Sequence, residues 1–489
     1  MRRFIVVFVL LLLSMQVFPQ FSIYSEYFSY NKKTEVYPVT TSPELGLPMI
    51  FVSDRNVKII YLDSDYKLVN EIRIKKSLKD YRNYIGSYFA DSSLVMSFRN
   101  KHSNAMSHVI VDLHDGSYIE VQIDNKIENQ KYLASWEIKD SLIVLSVVEG
   151  SNDFVVSKYF DGGSLSVNEF DVETQIADNS LFDFFSTDDG NIQKVDNTIP
   201  VSLQIASAKN KVYLVKDKVY ITFDGDGVGT RVIMLDLHTG MFKDSYYDYH
   251  DEQLVTVGNS FIYDNKLFAL SIDKLGLALR ISCLVDSSND AVFIASKDRS
   301  IDFKNSNFIE RNEKEGFLFG DPVVTEIGSF RKFLRIVSKM NPAISVFSKL
   351  TDYQILMGGI VGIHQSAGVT SNIILSSGGN MKVNPGGSLT MPDPVYNFAT
   401  NYSFSSYSSF KSAYFSSIVD SESCDHKQKQ ISKYTYDYII EYANYMAGRY
   451  GLVTVFKMSG DYYLGYYSYK NSTYNIEWFK NIDDFSVQY

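Results

Sequence analysis

Cysteine and histidine are scarce in this chain, two and seven among 489 residues, and widely scattered. That leaves little for a disulfide framework or a cysteine-rich zinc site, and no metal ligand, cofactor residue or catalytic residue is assigned. Positive charge is in deficit, with 47 Lys and Arg against 57 Asp and Glu and a net charge of −10. A nucleic-acid binder needs a phosphate-neutralising surface, so this balance points away from nucleic acid. Long hydrophobic runs are missing beyond the N-terminus. The longest, Ile355–Ile363, has nine residues, three of them glycine. A spanning helix needs about 20 apolar residues. What is abundant is Tyr and Phe, 36 and 33, within an apolar fraction of 45% and a charged fraction of 21%. That composition is globular, neither disordered nor collagen-like.

The N-terminus carries a compartment signal. Arg2 and Arg3 precede ten apolar residues, Phe4 to Leu13, and a mixed stretch runs on to Gln20. A basic segment before an apolar run of about 7–15 residues describes a secretory signal peptide. Residues 1–20 are therefore expected to be a signal, cut near Pro19 or Gln20. No cysteine precedes Cys283, so the chain is not expected to be a lipoprotein. The expected destination is periplasmic, cell-surface or extracellular, with no transmembrane helix in the mature chain. In an oxidising compartment Cys283 and Cys424 can pair or remain two thiols.

Self-similarity organises the middle of the chain. Four segments share a polar turn with Asp leading into a short apolar strand: Asp91 (DSSLVMSF), Asp140 (DSLIVLSV), Asp217 (DKVYITF) and Asp264 (DNKLFALSI). Their spacings are 49, 77 and 47 residues. The long gap becomes regular if roughly 28 residues are inserted near 173–200, which leaves a repeat of about 48 residues. That stretch is unusual, because Asp171, Glu173, Asp178, Asp183, Asp188, Asp189 and Asp196 surround a single Lys194. A second landmark follows each first one by 19–22 residues: Asp112 (DLHDG), Asp161 (DGG), Asp236 (DLHTG) and Asp286 (DSSND). Asp and Gly suit tight strand-to-strand turns, because they tolerate positive φ or bond their own backbone.

A strand-rich module recurring every 40–50 residues has the period of a β-propeller blade. Through the repeated Asp-led strand openings and the DLHDG and DLHTG turns, the chain resembles bacterial extracytoplasmic β-propeller proteins, over about residues 47–300. The resemblance is architectural, and it implies a ring of blades without assigning any functional residue. The expected fold is all-β, a propeller of about six to eight blades with a mixed C-terminal excursion containing a helix. The expected layout is blades over 21–363 with the acidic insertion at about 171–200, then a Gly/Pro/Ser/aromatic-rich insertion or linker over 364–430, then a helix and closing blade over 431–489. The first strand is expected to pair with the last blade, which removes exposed strand edges. Phe330, Phe333, Leu334 and Val337 recur at helical spacing, and a second helix is expected between about Gln428 and Arg449. Its stripe is Ile431, Tyr434, Tyr438, Tyr442, Tyr445 and Met446.

Few residues suggest chemistry. His114 and His238 each follow an aspartate by two positions, Asp112 and Asp236, but both occupy the same turn of two repeat units. A feature that recurs with the repeat is more simply part of the blade. STDDGNIQ (Ser186–Gln193) resembles the Asp-box turn of sialidase-like propellers, without the final aromatic. DGDGVGT (Asp224–Thr230) reads as a hairpin turn more readily than as a calcium loop. Tyr246-Tyr247, Tyr462-Tyr463 and Tyr466-Tyr467 are adjacent pairs, in which alternation along a strand turns one ring outward. The terminal Phe485, Val487 and Tyr489 alternate as barrel strands do, yet SLIVLSVV and KLFALSI are apolar on both faces, as in sheets packed face to face.

The sequence thus predicts an exported, non-enzymatic β-propeller acting as a protein–protein interaction or envelope assembly scaffold, with another envelope or surface protein as partner. A glycan-binding or glycan-hydrolysing propeller is the alternative. An outer-membrane β-barrel-associated protein is the second.

Overall fold

Three of the four Asp-led turns, those at Asp91, Asp217 and Asp264, close hairpins on left-handed backbone. In the computed structural model, Asp91, Lys216, Asp264 and Asn265 have φ values of 52°, 56°, 49° and 59°. Each turn joins the first and second strand of a sheet, as where Tyr263 pairs with Lys266 across Asp264-Asn265. The second landmarks close the next-but-one hairpin, with Gly116 and Gly240 at φ 78° and 71°. Asp286 lies outside the described residues. The structure describes residues 20–29, 34–53, 56–75, 81–100, 105–123, 129–172, 180–187, 190–225, 228–249, 257–285, 291–312, 323–361, 411–445 and 449–483.

Among these residues the strands make seven separate sheets, five of four strands and two of five. Blades 1 to 6 span residues 35–75, 81–123, 130–171, 192–248, 257–296 and 309–420. Blade 7 is built from 450–479 and closed by Gln20–Tyr27, which pairs antiparallel with Thr473–Phe479 as its outermost strand. Over the described residues the chain is a β-propeller of seven blades, within the expected six to eight. It is not one closed barrel. Phe28 continues from the closing strand into the seam between blades 7 and 1, its ring 4.5 Å from Phe51 and 6.0 Å from Tyr474.

Neighbouring blades meet through their first strands, such as Tyr81–Ala90 against Gln130–Ile138 and Glu35–Pro38 against Tyr450–Met458. The first strands therefore line the axis. Second and third strands lie between blades and bury both faces, which is why Ser141–Val148 is buried at seven of its eight positions. Fourth strands form the rim, and Ser164–Asp171 buries only Phe170.

Blade 6 departs from the expected layout. The strand Lys411–Asp420 lies inside the stretch expected to be insertion or linker, and it pairs with both Asp352–Ile360 and Ile309–Asn312. Its serines and aromatics show no period of two because both faces are packed, with Ser412, Ser416, Ser417 and Phe415 all buried. The Gly/Pro-rich 376–394 lies outside the described residues.

The helix Phe330–Val337 forms with Phe330, Phe333, Leu334 and Val337 buried, and the Ser329 hydroxyl accepts from the Lys332 N–H. The second helix is shorter than expected, Thr435–Tyr445. The Tyr434 N–H donates to the Asp437 carboxylate at 3.0 Å, an N-terminal cap that starts the helix seven residues late. Its buried face is Tyr436, Ile439, Ile440 and Ala443, one position off the expected stripe.

Candidate functional site

The acidic insertion supplies the innermost element of the ring. Its strand Ile192–Val195 pairs in parallel with Asn210–Val215, ahead of the four strands that make up an ordinary blade. This carries Lys194, the lone base of the acidic stretch, to the axis. There the first strands of blades 2 and 3 both bulge, between Tyr84 and Gly86 and between Tyr132 and Ala134. A bulge bends its strand and re-aims side chains. Gly86 has φ 148°, and a Cβ there would stand 2.5 Å from Leu142 Cδ1 and 3.2 Å from Glu137 Cγ.

Between these strands lies a cavity of about 500 Å³. Its lining comes from blades 1, 2, 3, 4 and 7, including Tyr37, Thr41, Tyr84, Tyr132, Trp136, Glu137, Lys194, Asn197 and Lys457. Glu137 Oε1 accepts from the Ser87 N–H at 2.8 Å, the Tyr84 hydroxyl at 3.0 Å and the Ser87 hydroxyl at 3.2 Å. Burial pushes the Glu137 carboxyl up, against the pull of the Ser87 N–H and the Lys194 charge. Lys194 donates to the Ser135 carbonyl, and its Nζ sits 5.5 Å from the Trp136 ring centroid. Burial pushes its ammonium down to about 7, although Asp196 and Glu137 favour the charge. Each member of the pair is thus driven toward its neutral form by desolvation. The Tyr37 and Tyr84 rings pack at 4.3 Å, and Tyr37 donates to Glu35 at 2.5 Å. Burial raises both phenols well above their ordinary value.

Three side chains of the lining keep a buried polar atom with no hydrogen-bond partner among the described residues: Trp136 Nε1, Thr41 Oγ1 and Asn197 Oδ1. The Asn197 amide nitrogen is engaged, donating to the Ile262 carbonyl at 2.9 Å. A buried group left in this way costs about 1–3 kcal/mol. The site can hold a small molecule by complementary hydrogen bonds, since hydroxyl, carboxyl, amine and amide groups converge on it.

None of the residues singled out from the sequence as tempting bases reaches this cavity. His114 and His238 are exposed at rim turns. Asp112 accepts from the His114 N–H at 2.8 Å and Asp236 from the His238 N–H at 3.0 Å, so the aspartates shape turns. Ser186–Gln193 is no strand-to-strand Asp-box turn. Ser186 ends the helix Leu181–Ser186, and the Gly190 N–H donates to the Thr187 carbonyl, while Asp188 and Asp189 lie outside the described residues. Asp224–Thr230 connects two strands of blade 4, and Asp224 serves a buried ion pair. Of the tyrosine pairs, only 246/247 turns a ring outward, with Tyr246 53% exposed. Tyr462, Tyr463, Tyr466 and Tyr467 are all buried, because their strand is the second of blade 7 and packs on both faces. Cys283 and Cys424 are thiols, not a disulfide.

Trp136, Glu137, Thr41 and Asn197 escaped notice in the sequence. The available signals were faint: Trp136 is one of two tryptophans, and Lys194 is the single base among seven acids.

No protein-family model and no curated protein matches the chain. Similar solved structures include the WD40 domain of SCAP from fission yeast, 10% identical, covering 95% of this chain and 92% of that one at a TM-score of 0.31. The Dos1 propeller is 9% identical over 63% of this chain and 62% of its own, at a TM-score of 0.28. An ACO/RPE65 chimera is 10% identical over 55% of this chain and 63% of its own, at 0.29. The last two matches span less than two thirds of those chains. The seven-sheet topology, and not these likenesses, establishes the fold.

Proposed function

We propose that the chain is an exported β-propeller that works by binding, as an interaction or assembly scaffold of the cell envelope, and not by catalysis. The observation that carries this reading is how the reactive groups at the axis are used. Glu137 Oε1 is occupied by three hydrogen bonds from Ser87 and Tyr84, and Lys194 is engaged with the Ser135 carbonyl. Groups tied into the wall shape a cavity; general acid catalysis needs a carboxyl within reach of the leaving group. The basic-then-apolar pattern of Arg2–Leu13, read as an export signal, supports an envelope setting, and the rim loops of a rigid ring offer contact surfaces for another envelope or surface protein.

Affinity purification of the tagged full-length protein from its native envelope tests this. Recovery of one stoichiometric protein partner is the expected result. A chain that stays alone and hydrolyses members of a glycan panel overturns it.

The glycan-binding alternative draws on a separate observation, the aromatic side chains of Tyr37, Tyr84, Tyr132 and Trp136 around the cavity.

A further inference from the structure

We propose that the axial cavity is a binding site for an uncharged polyhydroxylated ligand of mono- to disaccharide size, held between blades 1, 3 and 4 by Thr41, Trp136 and Asn197. This rests on the reading of the chain as a binding propeller and assigns that propeller a small-molecule site.

Size comes first. A volume of about 500 Å³ sits within the range of small-molecule pockets, about 300–1,000 Å³, and accepts one or two sugar rings. Charge comes second. The lining holds two bases, Lys194 and Lys457, and two acids, Glu137 and Asp196, so it presents no excess of either sign. A charged ligand would enter a desolvated space without a surplus counter-charge, which is costly. Burial further disfavours the charged forms of Glu137 and Lys194, so neither offers a surplus charge to a ligand.

Hydrogen-bonding capacity comes third. The unpartnered atoms in the wall are a donor (Trp136 Nε1), an acceptor (Asn197 Oδ1) and a group that is both (Thr41 Oγ1). A purely anionic ligand serves only donors, and an ammonium serves only acceptors. A hydroxyl serves all three. The aromatic walls add apolar faces of the kind that pack against the C–H face of a sugar ring. The insertion strand completes the argument, because Ile192–Val195 adds to the ring the one element that carries Lys194, Asp196 and Asn197 together to the axis.

The test uses the two tryptophans. In a Trp478→Phe background, Trp136 is the sole indole, and its emission is titrated with glucose, N-acetylglucosamine and maltose, with glucuronate and glucosamine as charged controls. The expected result is a saturable change with at least one neutral sugar and weaker binding of the charged controls. Calorimetry on Thr41→Val and Asn197→Leu, each with an unfolding temperature matching the parent, should show binding weakened about tenfold per lost hydrogen bond. Three results overturn the proposal: no saturable response to any neutral sugar at about 50 mM, well above the millimolar range of weak binding, tighter binding of a charged control, or unchanged affinity in both folded variants. Failure here with a protein partner recovered from the envelope leaves the scaffold reading intact. Hydrolysis of maltose in the same titration counts against the non-enzymatic reading instead.

Discussion

The Lys211 ammonium and the Asp224 carboxylate meet at 2.7 Å with both side chains fully sealed from solvent. Lys211 opens the axial side of blade 4, and Asp224 follows the next strand of the same blade. Asp224 also accepts from the Ser260 N–H at 3.1 Å and the Tyr249 hydroxyl at 3.0 Å, so the pair ties blade 4 to blade 5. Two charges removed from water are tolerated because every partner is supplied by neighbouring strands.

Lys211→Met should therefore leave an uncompensated buried carboxylate and destabilise the protein by about 3–5 kcal/mol. Denaturant unfolding of Lys211→Met, Asp224→Asn and the double variant reads the coupling. Additive losses would show that the two groups do not act as a pair.

His108 was not among the histidines that drew attention in the sequence, yet it is the one that should govern acid stability. It is buried between blades 2 and 3, bonded to Ser97 at 2.8 Å and edge-on to Tyr88 and Tyr159. Burial pushes its pKa from 6.5 down to about 4. The unfolded chain thus takes up the proton first, so stability is unaffected above pH 6.5 and falls between 6.5 and 4. The full loss from this group is up to about 3 kcal/mol at 1.36 kcal/mol per pH unit. Unfolding of the parent and His108→Gln at pH 7.5 and 4.5 should show the parent losing more; equal losses would remove His108 from the explanation.

Lys194 acts with the same sign in a more alkaline window. Its folded pKa is lowered by burial to about 7 from 10.5, so the folded state is penalised for holding the charge below pH 7. That penalty fades as pH rises toward 10.5. Lys194→Met should flatten the rise in stability across this interval and leave the protein at least as stable at pH 7. A marked loss of stability at pH 7 would mean that the interaction with Ser135 and the Glu137 and Asp196 charges outweighs desolvation.

The seam between the first and last blades should depend on Phe28, which is 3% exposed against Phe51, Tyr467 and Tyr474. Phe28→Ala should cost about 3–5 kcal/mol. Exposed Phe21, 55% accessible on the closing strand, is the control, and Phe21→Ala should cost far less. Similar losses for both would place the closing energy in backbone pairing and not in this ring.

Much of the architecture was legible because it repeats. Asp91 and Asp140, and again Asp217 and Asp264, recur at one blade's spacing, and the turns at Asp91 and Asp264 are local, needing only residues that tolerate positive φ. The helix at Phe330 was readable for the same reason, since its apolar spacing lies within one short segment. The strand Lys411–Asp420 was not, because burial on both faces erases the alternation that marks a strand.

By itself, the sequence determined the strand-and-turn unit, its period, the ring that such units must form and the closing role of the first strand. Those follow from nearest-neighbour turn chemistry and from apolar faces that one blade cannot bury alone. Only the tertiary structure decided the number of blades and the site at the axis. Thr41, Trp136 and Lys194 are separated by 95 and 58 positions, and no local pattern links them. They become neighbours because ring closure brings the first strand of each blade to one axis, and because an inserted strand turns a lone lysine of an acidic stretch inward.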